Sequence, residues 1–371
     1  MIYLIYLFLL GIFLFLERKQ SSPRNMYRVL IPLIYILLVG FRGANVGTDT
    51  ATYYAHYYFF GRFGCDFVEK GFDFLNRFCF HMGWNHVPFF CLCAATAIIP
   101  VVISSGKLLS RKEYTIFLLL FCTTTFTSLC NGMRQNMACG ILFAVLIYAQ
   151  YCVKNKFNKI LLYLLGFLLC SLFHISVLLV SVLIVVPVYL LTYVKLSNKI
   201  YLFLYLISFL LVFINVADYI VAYNPILQLG ERDYQGYFHG AMTHQSASSL
   251  GFLVTSARNL IILILMFNMN LFKTYPFFSN ILFLFFILAN AGFNVPLVGR
   301  LNMYFAFFCI LIIAKIFSSG IGKTLKNTKV LVATLAMLTI VLYIHSMMSE
   351  ANKVRDYSFY WETPDYEKYI E

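Results

Sequence analysis

Charge is scarce in this chain of 371 residues, because Asp, Glu, Lys and Arg together make up only 12% of it. Ordinary soluble domains contain roughly twice that proportion of charged residues, about 25%. Hydrophobic residues account for 61% and aromatic residues for 18%. This composition excludes an ordinary soluble globular protein and predicts an integral membrane protein with many spans.

The motifs of nucleotide and metal chemistry are also missing. The chain has no G-x-x-x-x-G-K-[ST] loop, no G-x-G-x-x-G fingerprint, no H-E-x-x-H and no Asp-x-Asp. Its ten cysteines include no Cys-x-x-Cys, although Cys65 and Cys79 share one polar connection and are a candidate disulfide pair. We therefore expect no metal and no other cofactor, and a substrate that arrives within the membrane rather than as a soluble nucleotide.

Twelve apolar segments can be read along the sequence. They lie at residues 1–16, 27–41, 87–105, 114–130, 135–153, 159–173, 175–194, 200–217, 251–268, 277–297, 301–317 and 329–348. Several are near or below the length of about 17 residues that crosses a hydrocarbon core unaided. The first lacks a basic start and a small-residue cleavage site, so we interpret it as a span and not as a signal peptide. The sequence thus predicts an all-α polytopic membrane protein of about twelve spans, with one transmembrane domain over residues 1–371.

The basic residues predict the orientation of these spans. If the amino terminus lies outside, the inner connections hold 17 of the 28 Lys and Arg but only 2 of the 15 acidic residues. This asymmetry matches the enrichment of Lys and Arg in cytoplasmic loops. The net charge of +13 is then mostly a consequence of topology, so we expect no nucleic-acid partner. Both termini are predicted to lie outside.

Three polar segments fall on the predicted outer face: the connections 42–86 and 218–250, and the carboxyl-terminal tail 349–371. Long connections without regular structure are usually functional or disordered. These three segments are rich in aromatic residues and in charges of both signs, which favours a functional site over disorder. In the first connection, TATYYAHYYFF predicts an interfacial helix with an aromatic belt. The tyrosines of this belt are Tyr53, Tyr54, Tyr57 and Tyr58.

Four arginines lie at or near the predicted outer ends of spans: Arg42, Arg134, Arg258 and Arg300. A guanidinium holds phosphate or carboxylate through two parallel hydrogen bonds, whereas a lysine ammonium is a solvated point charge. Several arginines near one leaflet therefore fit a diphosphate. At Arg134 and Arg300 a predicted helix start adds unpaired amides and a positive dipole. The alternative is that each arginine merely extends to the membrane interface.

Two other residues have both a structural and a candidate catalytic interpretation. Asp49 stands at the predicted start of the interfacial helix, where its side chain can cap the first amides, face Arg42 or act as a base. His174 lies at a break inside residues 160–194, a stretch too long for one crossing. A histidine there can act as a base, a proton carrier or a phosphate ligand, or be structural.

Five motifs occur in a characteristic order along the chain. They are FRGANVGTDTATYY from Phe41, VEKGFDFLNRF from Val68, NGMRQNMACGILFA from Asn131, LCSLFHISVLL from Leu169 and GRLNMYF from Gly299. In this order and spacing the chain resembles the EpsG-type, Wzy-like polysaccharide polymerases. Where such families usually show Glu-Pro-Gly-Tyr, residues 69–72 read Glu-Lys-Gly-Phe.

The resemblance implies a glycosyltransferase-C-like enzyme in the bacterial cytoplasmic membrane, with its active site on the outer face. Such an enzyme joins oligosaccharide repeat units carried on undecaprenyl diphosphate to make O antigen, capsule or exopolysaccharide, without metal or nucleotide. Donor and acceptor are both lipid-linked glycans. Membrane lipids, a flippase and a chain-length regulator are the other candidate partners.

Site roles follow from this chemistry. We expect the arginines to stabilise the charge that builds on the leaving diphosphate, with Arg134 and Arg300 first and Arg42 and Arg258 next. The acceptor hydroxyl needs a base, and the sequence leaves three choices open: His174, Asp49 and Glu69. Outer-face aromatics are candidates for stacking on sugars, namely Tyr234, Tyr237, Tyr360 and Trp361.

Three other classes of membrane protein fit the sequence less well. A lipid-linked oligosaccharide flippase should line its passage with cations from both leaflets, whereas the arginines here collect on one predicted side. A sugar O-acyltransferase could use His174, but it needs polar residues deep in the spans to bring an acyl donor from the cytoplasm. A solute transporter should show internal repeats with broken helices at mid-membrane, and no clear repeat is present.

Overall fold

The protein is described here from a computed structural model that covers residue 11 and residues 26–66, 68–194, 196–212, 249–292, 300–320 and 326–362. Regular structure in these residues is helical, and none of them forms a strand. The exception to helical pairing is an isolated antiparallel bridge between Arg42 and Phe359. The all-α prediction is therefore confirmed for the described part of the chain.

Most of the described helices coincide with predicted apolar segments, and two lie in the connection 42–86. They are α1 (Met26–Gly40), α2 (Thr50–Phe63), α3 (Lys70–His81), α4 (His86–Ser105), α5 (Arg111–Thr124), α6 (Phe126–Asn131), α7 (Met133–Ile147), α8 (Lys156–Ser171), α9 (Ser176–Val180), α10 (Val186–Leu191), α11 (Asn198–Ser208), α12 (Ser249–Asn268), α13 (Leu271–Thr274), α14 (Pro276–Ala291), α15 (Ala306–Gly320) and α16 (Lys326–Met348). A π-helical turn, Tyr148–Cys152, extends α7, and another, Ser181–Val185, joins α9 to α10.

Within the part of the chain that the structure describes, five helical segments are long and apolar enough to cross a membrane. They are His86–Ser105, Met133–Cys152, Gly251–Asn268, Arg300–Ser319 and Thr328–Met348. Three shorter apolar helices are Tyr27–Gly40, Asn198–Leu211 and Pro276–Ala291. These helices support a multi-pass membrane protein, while the count of twelve spans and their orientation stay predictions. Apart from Gly11, the predicted first span lies outside the described residues.

The chain divides into two compact units, one of Met1–Val177 with Tyr343–Glu371 and one of Leu178–Leu342. In the first unit α4 packs against both α1 and α7. A Cβ atom at Gly140 on α7 would overlap the carbonyl oxygen of Ala97 on α4, so glycine permits this close approach. Small residues at helix contacts are typical of membrane proteins.

Buried polar groups connect the helices of the second unit. The Tyr205 hydroxyl on α11 donates to the Ser256 carbonyl on α12 at 2.8 Å, and Ser256 Oγ donates to Asn290 Oδ1 on α14 at 3.2 Å. The Asn290 amide donates in turn to Ser208 Oγ at 2.7 Å. Hydrogen bonds of this kind hold helices together where the surrounding lipid offers no alternative partner.

The connection 42–86 has a packed core of its own. Helices α2 and α3 pack against each other and against the start of α4, and their buried side chains form one cluster with Met133 and Met137 of α7. Tyr53, Tyr54 and Tyr57 belong to this cluster. The predicted helix is thus present, but an aromatic belt exposed to lipid is the wrong interpretation for these three tyrosines because α3 and α4 cover them. Cys65 and Cys79 are buried free thiols, so the candidate disulfide is not formed.

Residues 349–362, which we call the tail strap, pack against the turn that follows α1. Three backbone hydrogen bonds attach the strap to residues 41–47: Gly43 N to Ser358 O at 2.8 Å, Tyr360 N to Phe41 O at 2.9 Å and Gly47 N to Lys353 O at 2.7 Å. The predicted outer tail is therefore an ordered part of the first unit as far as residue 362.

Candidate functional site

Glu69 is positioned by the way α3 begins. It occupies the N-cap position of this helix in an extended conformation, and the next free amides, those of Gly71 and Phe72, donate to the Leu172 carbonyl at 2.9 and 3.2 Å. A Cβ atom on Gly71 would come within 2.7 Å of Leu172 Cβ and 2.8 Å of its carbonyl oxygen. Glycine at this position therefore lets the segment after α8 lie directly against the start of α3.

The carboxylate of Glu69 joins two of the predicted site residues. Its Oε2 accepts a hydrogen bond from Arg134 Nη1 at 2.7 Å, and its Oε1 lies 3.2 Å from His174 Nδ1. The Ile175 amide also donates to Oε1, at 3.3 Å. The Glu69 side chain is only 4% exposed, whereas those of Arg134 and His174 keep 23% and 19%. We call these three residues the Glu69–Arg134–His174 cluster.

Arg134 lies where the sequence predicts it, in the first turn of α7 after Gly132. Its guanidinium lies over the ring of Phe72, with Cζ 5.8 Å from the ring centroid, and Tyr53 is close enough to interact with it electrostatically. Its Nε is buried without a hydrogen-bond partner among the described residues. Tyr53, which sequence reasoning assigned to an aromatic belt, is therefore a neighbour of the cluster.

The cluster fixes the ionisation of Glu69 and the tautomer of His174. Burial alone would raise the pKa of Glu69, but the hydrogen bond from His174 and the charge of Arg134 outweigh burial and lower this pKa to about 2. An ionised carboxylate can only accept, so the proton of the His174 ring lies on Nδ1. In the neutral ring the lone pair is then on Nε2, which is the atom able to act as a base.

The stabilisation contributed by Glu69 should disappear in acid. Because its pKa in the folded protein, about 2, lies below its ordinary value of 4.5, the contribution is complete above the ordinary value and is lost as the pH falls towards the folded value. We expect the difference in melting temperature between wild type and Glu69→Gln to be constant from about pH 7 to about pH 5 and to shrink below about pH 4.5. Thermal unfolding of both proteins in detergent measures this difference. A difference in melting temperature that is unchanged at about pH 3 would contradict an ion pair at Glu69.

Gly71→Ala should disconnect His174 from Glu69. The added methyl group would meet backbone and side-chain atoms of Leu172, so the segment that carries His174 must move away from α3. We expect loss of polymer in a complementation assay while the protein remains in the membrane. The matched control is Lys70→Pro, since Lys70 is exposed and is the first residue of α3, where proline is favoured. Equal activity of the two variants would contradict the prediction.

Arg42 is fully buried in the first unit. Its Nε donates to Thr50 Oγ1 at 2.9 Å, its Nη1 donates to the Val39 carbonyl, and its guanidinium lies 4.8 Å from the ring centroid of Phe90. A cation at the carboxyl end of a helix is favourable, and these contacts fasten the end of α1 to the start of α2 and to α4. A contact with diphosphate stays a prediction for Arg42.

Asp49 occupies the N-cap position of α2, as expected, but its side chain does not cap the helix. Its backbone angles, φ −104° and ψ −5°, differ from the extended conformation that directs a side chain onto the first amides. Instead Asp49 Oδ1 accepts from Thr48 Oγ1 at 2.9 Å, and within the described residues it forms no ion pair with Arg42. The capping prediction is therefore wrong, and a role as base is untested.

Two of the four predicted arginines belong to the second unit. Arg258, on α12 in the second unit, donates from Nη2 to Asn259 Oδ1 at 3.1 Å. Arg300 is exposed at the start of the apolar helical segment Arg300–Ser319, also in the second unit. Tyr234 and Tyr237 lie outside the described residues. Their roles in binding diphosphate and sugar stay predictions.

The described helices, five of them long and apolar enough to cross a membrane, and the Glu69–Arg134–His174 cluster define a multi-pass membrane protein with a candidate catalytic site. Its sequence matches the EpsG family over residues 25–360, and the chain therefore belongs to the EpsG family. Membership confirms the resemblance and indicates a role as a membrane polysaccharide polymerase of glycosyltransferase type. No curated protein and no solved structure matches the chain.

Proposed function

We propose that this protein joins oligosaccharide units carried on undecaprenyl diphosphate, at the outer face of the bacterial cytoplasmic membrane. The growing glycan leaves its lipid diphosphate and is transferred to a hydroxyl of the incoming unit. The observation that carries the proposal is the Glu69–Arg134–His174 cluster, which combines a cation for the leaving group and a base for the acceptor in one place.

In this reaction His174 is the general base. Its Nε2 takes the proton of the acceptor hydroxyl, the oxygen forms a bond to the anomeric carbon, and the bond from that carbon to the diphosphate oxygen breaks. Glu69 holds the imidazole through Nδ1 and stabilises the imidazolium that forms, the role a carboxylate has in other acid–histidine pairs. Glu69 is thus a positioning residue, and Asp49 is the alternative base.

Arg134 stabilises the negative charge that the diphosphate acquires as it leaves. Glu69 engages Nη1, while a guanidinium carries five N–H donors in all, so donors remain for phosphate oxygens. The first turn of α7 adds its own positive dipole at the same place. A diphosphate carries more negative charge than Arg134 alone offsets, and Arg42, in the same unit, is the proposed further contact, while the roles of Arg258 and Arg300 stay predictions. The donor is already activated, so the reaction needs no nucleotide.

A deletion strain tests the proposal. Loss of the protein should leave single repeat units on lipid that are accessible to a glycosidase from outside the cell, and no polymer. Polymer of normal length in this strain rules out the polymerase, and repeat units confined to the cytoplasmic side indicate a flippase instead. Normal polymer that lacks acyl groups indicates an O-acyltransferase. Complementation of the deletion strain with Arg300→Ala tests the predicted role of Arg300 in the second unit. Polymer of normal length in this strain contradicts that role.

A further inference from the structure

Two aromatic rings of the tail strap form an exposed stacked pair. The rings of Phe359 and Trp361 are nearly parallel, at an angle of 7°, with centroids 4.4 Å apart. Trp361 is 56% exposed. Its ring also packs edge-on with the rings of Tyr360 and Phe41, with centroids 5.1 and 6.1 Å away. One face of the indole is therefore covered by a ring and the residue still presents a large aromatic surface.

Backbone pairing holds this surface in place. Phe359 forms the bridge with Arg42, and its amide donates to Glu362 Oε2 at 2.7 Å, which closes the short 3₁₀ turn Tyr360–Glu362 around Trp361. The Tyr360 amide donates to the Phe41 carbonyl on the other side. A ring that is already fixed loses little conformational entropy when a ligand packs on it.

Ring contacts lead from the strap towards the cluster within the first unit. The ring of Tyr360 meets that of His86 with centroids 5.9 Å apart, and His86 meets Tyr54 at 4.7 Å. Tyr54 is next to Tyr53 on α2, the tyrosine that interacts with Arg134. The exposed indole and the candidate catalytic residues are thus parts of one packed assembly of side chains.

We propose that Trp361, backed by Phe359, binds a sugar ring of the glycan that this enzyme elongates, an inference that rests on the proposed function. The C–H face of a pyranose is apolar and packs on an indole, whose N–H can donate to a hydroxyl. Among the described residues the Trp361 indole N–H makes no hydrogen bond, and the next residue is Glu362, whose carboxylate accepts from the Phe359 amide. Sites for small ligands combine aromatic surface with a few polar groups in this way.

The charges of the strap favour a glycan over a lipid surface. The strap contains three carboxylates, those of Glu350, Asp356 and Glu362, and two cations, Lys353 and Arg355. Segments that bind anionic lipid headgroups are instead rich in Lys and Arg. A tryptophan that anchors in the membrane interface is the competing explanation, and the experiment is designed to tell the two apart.

The chain contains two tryptophans, Trp84 and Trp361, so Trp84→Phe leaves Trp361 as the single fluorescent reporter. We expect its emission to change saturably when the variant, in nanodiscs, is titrated with lipid-free oligosaccharide released from the polymer of the producing strain. Phospholipids brominated on their acyl chains should quench it little. No change with oligosaccharide, or strong quenching by brominated lipid, overturns the proposal.

Trp361→Ala is expected to bind the same oligosaccharide about 10-fold more weakly by calorimetry, and Trp361→Phe to retain most of the affinity because an aromatic face remains. Equal affinity of wild type and Trp361→Ala overturns the proposal. His174→Asn in the Trp84→Phe background, which removes the proposed base and is expected to keep the fold, separates this inference from the proposed function. This variant should bind oligosaccharide but make no polymer. Loss of binding would contradict the role of Trp361, whereas normal polymerisation would contradict the catalytic assignment.

Discussion

Replacement of Arg134 by glutamine is expected to abolish polymerisation and to destabilise the first unit of the protein. The substitution leaves the Glu69 carboxylate buried without its cation, and breaking a buried ion pair by removing one partner costs about 3–5 kcal/mol. Removal of a group that stabilises transition-state charge lowers the rate about 10²- to 10³-fold. Polymer length in a complemented deletion strain and thermal unfolding of the purified protein measure the two effects.

A double variant separates these effects. Glu69→Gln with Arg134→Gln removes both charges and keeps amide groups that can bond to each other, so we expect a melting temperature closer to wild type than that of Arg134→Gln alone. Polymerisation should stay lost in the double variant. Wild-type chain lengths in either variant would contradict the role of Arg134 at the diphosphate.

Replacement of His174 by asparagine should remove the base and keep the fold. The asparagine amide can take the place of Nδ1 as donor to Glu69 Oε1, so the structural contact is retained while no lone pair replaces Nε2. We expect a fall of about 10²- to 10⁴-fold in the turnover rate, the usual contribution of a general base. Turnover by the purified protein with lipid-linked repeat units measures it.

His81→Asn is the matched control for this substitution. His81 is exposed at the end of α3, outside the cluster, and its replacement should leave turnover unchanged. A rate for His174→Asn within a few-fold of wild type would contradict the assignment of the base and transfer it to Asp49, whose side chain accepts from Thr48.

The positions of the helices could be predicted from sequence because apolar runs of limited length are a local signal. Arg134 and His174 could be singled out for the same reason, since each interrupts such a run at a predicted span end. Their meeting at Glu69 could not be predicted: Glu69 is 65 residues from Arg134 and 105 from His174, and no local pattern encodes a contact over that separation.

The burial of side chains in the connection 42–86 is the other feature that could not be predicted from the sequence. The spacing of Tyr53, Tyr54 and Tyr57 predicts a helix correctly, but whether its aromatic side chains face lipid or protein depends on where α3 and α4 pack. The lysine at residue 70 in place of the usual proline is explained by its position, because the first residue of a helix has no intrahelical partner for its amide.

The tail strap has a consequence for the order of events during biosynthesis. Residues 41–47 leave the ribosome early, yet they make backbone hydrogen bonds to Lys353, Ser358 and Tyr360. Chains usually fold from the amino terminus while synthesis continues, but here the turn that carries Arg42 can be completed only after residues 353–360 have been made. A nascent chain that stops before these residues therefore cannot assemble this part of the protein, and competence to act arises only after α16 has been made.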